Sequence, residues 1–248
     1  MLLQDYLKQY PRVAVAFSGG VDSSYLLYAA KAAGCDVRAY FIKAQFQPQF
    51  ELDDARRLAE SIEVPLTVGT LDALGDANVV KNPSDRCYYC KRAVLSKLWE
   101  LAGDDGISVL CDGTNADDDE SDRAGMRAQR EHGVISPLRD CGLTKADIRR
   151  LSKEAGLFTH DKPSYACLAT RIPTGTEITE ELLSKVESAE GALFNMGFSD
   201  FRVRLVPPGG AKLQMPTADW DLAAAKRNEI TESLLPYFDS VVLDMTPR

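Results

Sequence analysis

Apolar and polar positions alternate between two rhythms along the first part of the chain. Residues 13–17, Val-Ala-Val-Ala-Phe, form a short continuous apolar run, the pattern of a strand buried on both faces. From 22 to 33 the apolar positions recur at helical spacing, and Gly34 marks the stop. The alternation then repeats. Residues 37–42 read as a strand, 52–62 as a helix, 66–68 as a strand, and 93–102 as a helix with Val94, Leu98 and Leu101 on one face. Residues 107–111 predict another strand, which runs into Asp112-Gly113-Thr114-Asn115. Strands alternating with helices predict an α/β fold, a doubly wound and mainly parallel sheet covered on both faces, with ligands at the carboxyl ends of the strands. The glycines after residue 17 and the Gly113 turn both stand at such ends.

Farther along, the pattern changes. Thr144 caps a helix predicted to run to 155, with Asp147 standing where Glu or Gln would complete a capping box. Residues 162–175 hold two prolines, a cysteine and an arginine in a loop-like run, and a domain boundary is expected there. A helix over 179–196 and short strands over 201–206, 212–215 and 241–243 then predict a small α+β module. The expected organisation is one large domain over 1–165 and a module over 166–248.

Composition narrows the class. With 248 residues, 45% hydrophobic and 27% charged, the chain has the make-up of an ordinary globular protein. No apolar run approaches the roughly 18 residues of a membrane span, and the first residues lack the basic-then-apolar order of a signal peptide, so a cytoplasmic protein without a membrane partner is expected. The net charge of -8 argues against a nucleic-acid partner, which needs a concentrated basic surface. Six cysteines outside a secretory context point to reduced thiols or metal ligands rather than a disulfide framework.

The candidate chemistry begins at Ser18-Gly19-Gly20-Val21-Asp22-Ser23-Ser24, between the first strand and the first long helix. A glycine turn at a helix N-terminus makes an anion site, because backbone N–H groups point outward and the helix dipole favours negative charge. Ser18, Ser23 and Ser24 add hydroxyls, and Asp22 can orient a metal or a donor. The run lacks the Gly-Lys-Ser/Thr of a Walker A loop and is not the dinucleotide GxGxxG. A turn that uses its serines only as caps is the plain alternative.

These seven residues resemble the loop of the pyrophosphate-loop ATPases, which release pyrophosphate from ATP and adenylate an oxygen of their substrate. Three further segments resemble the ATP-dependent sacrificial sulfur transferases called LarE: Asn82-Pro83-Ser84-Asp85-Arg86-Cys87-Tyr88-Tyr89-Cys90-Lys91, Asp112-Gly113-Thr114-Asn115-Ala116-Asp117-Asp118, and Lys162-Pro163-Ser164-Tyr165-Ala166-Cys167-Leu168-Ala169-Thr170-Arg171. With Phe201-Arg202-Val203-Arg204, the similarity covers nearly the whole chain. It departs from the family pattern over residues 119–125 and in a short C-terminal module.

The resemblance implies an adenine nucleotide alpha hydrolase-like fold. It also implies an enzyme that adenylates a carboxylate of pyridinium-3,5-biscarboxylic acid mononucleotide and converts it to a thiocarboxylate, in the making of the nickel-pincer nucleotide cofactor. ATP would meet Phe17, Ser18, Gly19, Gly20, Asp22, Ser23, Ser24, Lys91, Gly113 and Thr114, with Mg2+ alongside. Asp22, Ser23 and Cys167 would carry the chemistry, and Arg171, Glu190, Arg202 and Arg204 would bind the mononucleotide. Sulfide or another sulfur donor and a homo-oligomer are further expectations of that likeness.

Cys167 matches the family's sulfur-donor position. Cys87 and Cys90 add a CxxC pair, and two such thiols with a remote third suit a [4Fe-4S] cluster having one open iron, as in three-cysteine members of the family. By itself the CxxC pair is equally a redox pair or half of a zinc site, which His160 would help to complete. Cys35, Cys111 and Cys141 read as core or loop residues. The acidic run Asp117, Asp118, Asp119 and Glu120 reads as a solvated loop, with Asp117 the residue expected nearest Mg2+. Competing functions are tRNA thiolation, an amidotransferase of the NAD synthetase kind, and a module that only senses ATP.

Overall fold

The computed structural model describes residues 1–118 and 123–248, so Asp119 and Glu120 of the acidic run lie outside the described residues. In chain order the elements are α1 Leu3–Leu7, β1 Arg12–Ala16, α2 Val21–Ala32, β2 Asp36–Lys43, α3 Gln49–Ser61, β3 Leu66–Thr70, α4 Ala77–Val80, α5 Arg86–Asp104 and β4 Leu110–Cys111. They continue as α6 Arg123–Glu131, α7 Pro137–Asp140, α8 Lys145–Glu154, α9 Glu180–Asn195, β5 Arg202–Val206, β6 Gly210–Gln214, α10 Trp220–Ala225, α11 Arg227–Leu234 and β7 Ser240–Leu243. Among the described residues no helix is long and apolar enough to cross a membrane.

The chain divides into two compact units, Met1–Ala73 with Asp85–Lys162, and Leu74–Ser84 with Pro163–Arg248. In the first, four strands pair in the order β3-β2-β1-β4, every pair parallel. Alternation along the strands sends Val13, Val15, Ala39 and Phe41 to a core completed by α2, α3 and α8, while Ala14, Tyr40 and Ile42 join Leu95, Leu98 and Ala102 of α5 on the other face. This is the doubly wound α/β sheet that the pattern predicts. Strand order reverses at β1, because the chain builds outward through β2 and β3 and then returns to place β4 on β1's other side. A crevice opens beyond the strand ends at such a switch point.

Two elements differ from expectation. The strand expected over 107–111 pairs with β1 only at Leu110 and Cys111; Ile107 is buried, but as part of the core against α5. Helix α5 begins at Arg86 rather than at 93, so Cys87 and Cys90 lie in its first two turns.

The second unit pairs β5 with β6 antiparallel and β6 with β7 parallel. Its core joins Ala189 and Leu193 of α9 to Phe201, Val203, Leu213 and Met215 of the sheet, with Ile230 and Leu234 of α11. Leu74–Ser84 packs into this unit through Asn82, whose side-chain amide donates to the carbonyls of Ile172 (3.3 Å) and Pro173 (3.0 Å), while its own carbonyl accepts from Gly175 N–H at 2.8 Å.

Helix α8 begins with a full capping box. Thr144 Oγ1 accepts from Asp147 N–H at 3.2 Å, and Asp147 Oδ2 accepts from Thr144 N–H at 3.2 Å. Both orphan donors are thereby satisfied. We expect Thr144→Ala to lower the unfolding free energy by about 1 kcal/mol in urea titration and Thr144→Ser to change it by less than half of that.

Candidate active site

The pyrophosphate loop is stitched together by its own hydroxyls. Phe17 extends β1, donating its N–H to Tyr40 O at 2.9 Å, and its side chain is buried in the core. The chain then turns at Gly19, whose φ of +71° an L side chain rarely adopts. Ser23 Oγ accepts from Ser18 N–H (3.3 Å), lies 3.1 Å from Ser18 Oγ and donates to Gly20 O (3.3 Å). Gly20 is the N-cap of α2, so the N–H groups of the next residues have no partners within the helix and carry the positive end of its dipole. The Ser24 hydroxyl is fully buried and has no partner among the described residues.

The end of β4 closes on this turn. Asp112 is consumed in holding the local chain: it accepts from Thr114 N–H (3.1 Å), Thr114 Oγ1 (2.9 Å), Ser136 Oγ (2.8 Å) and the Gln129 amide. That arrangement presses Gly113 against α2, where an added Cβ would lie 2.8 Å from Ser23 N. Between them a cavity of 310 Å³ is lined by Ser18, Asp22, Ser23, Lys91, Gly113 and Thr114, together with Asp118. Its size is that of a small-ligand site.

Asp22 is half satisfied. Its Oδ2 accepts from Lys145 Nζ, while Oδ1 is buried with no partner among the described residues. A buried carboxylate oxygen left open beside Asp118 fits a hard cation such as Mg2+, which takes oxygen ligands. Asp117 has a different job: its Oδ2 accepts from Lys145 N–H at 2.7 Å, and it does not line the cavity. Lys162 also serves the loop, donating from Nζ to Gly19 O (3.2 Å) and Asp54 Oδ2 (2.6 Å). Lys145 and Lys162 escaped the sequence reading as site residues. The signal for Lys145 was its place directly after a helix cap, and for Lys162 its place at the head of the Cys167 motif.

In the second unit the structure gathers Cys167, Arg171, Glu190, Arg202 and Arg204. Cys167 directly precedes a 3-10 turn, Leu168–Arg171. Buried Arg171 forms a two-pronged pair with buried Glu190, at 2.8 Å from Nε and 3.1 Å from Nη2. Its Nη1 donates to Ala166 O (2.9 Å) and Thr170 Oγ1 (2.8 Å). Arg204 Nη1 donates to Thr170 O at 2.6 Å, and Arg202 donates to Ser164 O. Thus three guanidiniums grip the main chain around Cys167. Glu190 also accepts from Val203 N–H (2.9 Å) and the Tyr165 hydroxyl, and the Tyr165 ring lies 4.6 Å from Arg171 and 5.0 Å from Arg202.

Burial, with the like charges of Arg171 and Arg248, pulls Arg202 down to about 10 and lowers Arg204 in the same direction. Among the described residues, Glu190 pairs with Arg171 while Arg202 and Arg204 are bonded to main-chain carbonyls rather than to a carboxylate, and guanidiniums so placed suit a phosphate or carboxylate ligand. Glu190 itself is wholly engaged inside the protein. Removing it would leave Arg171 buried without its counter-charge, which costs about 3–5 kcal/mol.

The six cysteines separate by environment. Cys87 is exposed and Cys90 half-buried, three residues apart on α5 in the first unit, and Cys167 belongs to the second. Three thiolates are the right donors for an iron-sulfur cluster. Among the described residues no set of three or more His, Cys, Asp or Glu is placed to hold a metal ion. Cys111 is fully buried, and burial, with Asp112 next to it, pushes its thiol up to about 12. Burial also raises Cys35 and Cys141. These three pack in the core of the first unit.

Comparison with known proteins agrees with this geometry. The family model for the tRNA methyl transferase HUP domain matches residues 11–83, the stretch that holds β1, the loop and α2. The chain is 34% identical over 214 residues to the pyridinium-3,5-bisthiocarboxylic acid mononucleotide synthase of Lactiplantibacillus plantarum, covering 86% of this chain and 77% of that protein. It is 34% identical over 203 residues to an uncharacterized protein of Synechocystis sp., covering 82% of this chain and 76% of that one. It is also 27% identical over 226 residues to the tRNA-specific 2-thiouridylase MnmA of Pseudothermotoga lettingae, covering 74% of this chain and 63% of that protein. With a pyrophosphate-type loop at the switch point of its parallel sheet and likeness to that synthase over most of its length, the chain belongs to the LarE family of sulfur-transfer enzymes in the pyrophosphate-loop superfamily.

Proposed function

We propose that this enzyme uses ATP to adenylate a carboxylate of a pyridinium biscarboxylate mononucleotide and converts the product to a thiocarboxylate, a step in making the nickel-pincer nucleotide cofactor. The observation that carries the reading is the cavity where Ser18, Asp22, Ser23, Gly113 and Thr114 converge on the N-terminus of α2. The name of the Lactiplantibacillus plantarum relative supports the substrate class. A carboxylate oxygen attacks the α-phosphorus of ATP, and the bond to the β-phosphate oxygen breaks with pyrophosphate leaving. A sulfur nucleophile then attacks the carbonyl carbon and AMP leaves with the oxygen, so the carbon needs no oxidant. The loop N–H groups and the dipole of α2 hold the departing pyrophosphate, and Asp22 with Asp118 would hold Mg2+, which neutralises phosphate charge.

The mononucleotide's phosphate and carboxylates are assigned to Arg171, Arg202 and Arg204, of which Arg171 is paired with Glu190 and the other two donate to main-chain carbonyls. For sulfur, two readings differ in outcome. Thiolates at Cys87, Cys90 and Cys167 have the donor chemistry of a [4Fe-4S] cluster, which would supply sulfur without consuming the polypeptide. The other reading makes Cys167 itself a sacrificial donor. In that case its thiolate forms a thioester with the acyl group, elimination breaks its Cβ–S bond, and dehydroalanine remains.

ATP is expected to yield AMP and pyrophosphate only when substrate is present, and Asp22→Ala or Ser23→Ala should slow that release about a hundredfold. ADP as the main product would overturn the assignment. Arg204→Gln should weaken mononucleotide binding at least tenfold in calorimetry while leaving ATP affinity within twofold. Equal loss of both places the arginine elsewhere. For the sulfur source, Cys87→Ser, Cys90→Ser and Cys167→Ser should each lower the iron content of anaerobically prepared protein and multiple-turnover transfer together if a cluster acts. A sacrificial Cys167 predicts the reverse: dehydroalanine by mass spectrometry after one turnover, and full single-turnover activity in Cys87→Ser.

A further inference from the structure

The cavity at the end of β1 is poorly furnished with positive charge. Among the described residues its charged lining is Asp22, Asp112 and Asp118 against Lys91, and a triphosphate adds several more negative charges. The dipole of α2 offsets only about half a charge. A second ammonium stands close by, because Lys145 Nζ donates to Asp22 Oδ2 across 123 residues of sequence. The backbone of Lys145 is fixed: it is the first residue of α8, behind the Thr144 capping box, and its N–H is held by Asp117 Oδ2 at 2.7 Å. Its side chain is 31% exposed and hangs on a flexible four-carbon stem. Opposite it, Oδ1 of Asp22 is buried with no partner among the described residues, which marks the carboxylate as open to a ligand.

We propose that Lys145 is a pyrophosphate-binding residue that changes partners when the nucleotide enters. In the nucleotide-free protein it neutralises Asp22, which would otherwise be a half-buried carboxylate facing two others. With the metal-phosphate group in the cavity, the Lys145 ammonium turns to a β- or γ-phosphate oxygen. Asp22 then presents both of its oxygens to the cation that accompanies the phosphates. No covalent bond changes in the exchange. The inference rests on the adenylation reading, and it accounts for a lysine placed on the loop's carboxylate when a purely structural partner could have been an uncharged donor.

The test uses the full chain and two titrations: inorganic pyrophosphate with Mg2+ by calorimetry, and Mn2+ alone by electron paramagnetic resonance. Lys145→Met should weaken pyrophosphate binding about tenfold or more, the loss of one charge-assisted hydrogen bond. Mn2+ should bind at least as tightly as in the parent, since no ammonium competes for Asp22. Lys145→Arg should recover pyrophosphate binding to within about threefold, and Lys153→Met, on the exposed face of the same helix, should match the parent in both titrations. Lys145→Gln replaces the methionine variant if thermal unfolding shows that the latter does not fold. Unchanged pyrophosphate affinity in the neutral variant overturns the inference, as does loss of Mn2+ and pyrophosphate together, which is the signature of a merely structural ion pair. If the parent protein binds Mn2+ but not pyrophosphate, the adenylation reading itself fails, and this inference with it.

Discussion

Gly113 and the first turn of α2 approach so closely that no side chain fits between them, and the architecture of the first unit follows from that contact. A Cβ at 113 would meet Ser23 N at 2.8 Å, so the turn after β4 and the first turn of α2 lie backbone to backbone at the position where the sheet's order reverses. Everything polar nearby maintains this approach. Asp112 spends its acceptors on Thr114, Ser136 and Gln129, which keeps the β4 turn tight, while Ser18 and Ser23 tie the opposite turn to itself. The result is a rigid frame of backbone donors, and rigidity is what lets such donors act on developing charge without reorganising. Movable groups are added at the rim, on long side chains whose main chains are themselves pinned.

The second unit solves a different problem with opposite materials. The loop that carries Cys167 buries Leu168 and Ala169, and its main chain is held by charge: Arg171, Arg202 and Arg204 donate to carbonyls between Ser164 and Thr170. Burying guanidiniums is costly, and the cost is contained by Glu190, by the face of Tyr165 and by the multiplicity of carbonyl acceptors. The downward shift at Arg202 records what burial and like charges leave uncompensated. A ligand anion would complete that balance.

Sequence was informative where determinants are local. β1, the loop and the start of α2 occupy about a dozen contiguous residues, and the anion site can be read from their order alone. The Thr144 cap was equally legible, since both halves of the box lie within one turn. Long-range consequences were hidden. Nothing in the order of residues shows that the amine of Lys145 ends on Asp22, or that Lys162 reaches back to Gly19. Leu74–Ser84 joins the second unit through Asn82, whose partners lie about ninety residues away. Helix α5 was legible only from 93 onward, because its opening Arg-Cys-Tyr-Tyr-Cys-Lys-Arg buries an arginine and a tyrosine instead of aliphatic side chains. The strand before Gly113 was overestimated for the converse reason: Ile107 is apolar because it faces a helix, not because it pairs in the sheet.

The grip on the Cys167 loop has an evolutionary consequence. All three arginines reach its carbonyl oxygens, which every amino acid carries, so this part of the hold does not depend on which side chains stand at the residues whose carbonyls are gripped. The arginines' hold on position 167 passes through main-chain oxygens, those of Ala166, Cys167 and Thr170. A substitution at a residue whose carbonyl is gripped leaves that bond available, so sequence along the loop can change while its backbone path stays constant.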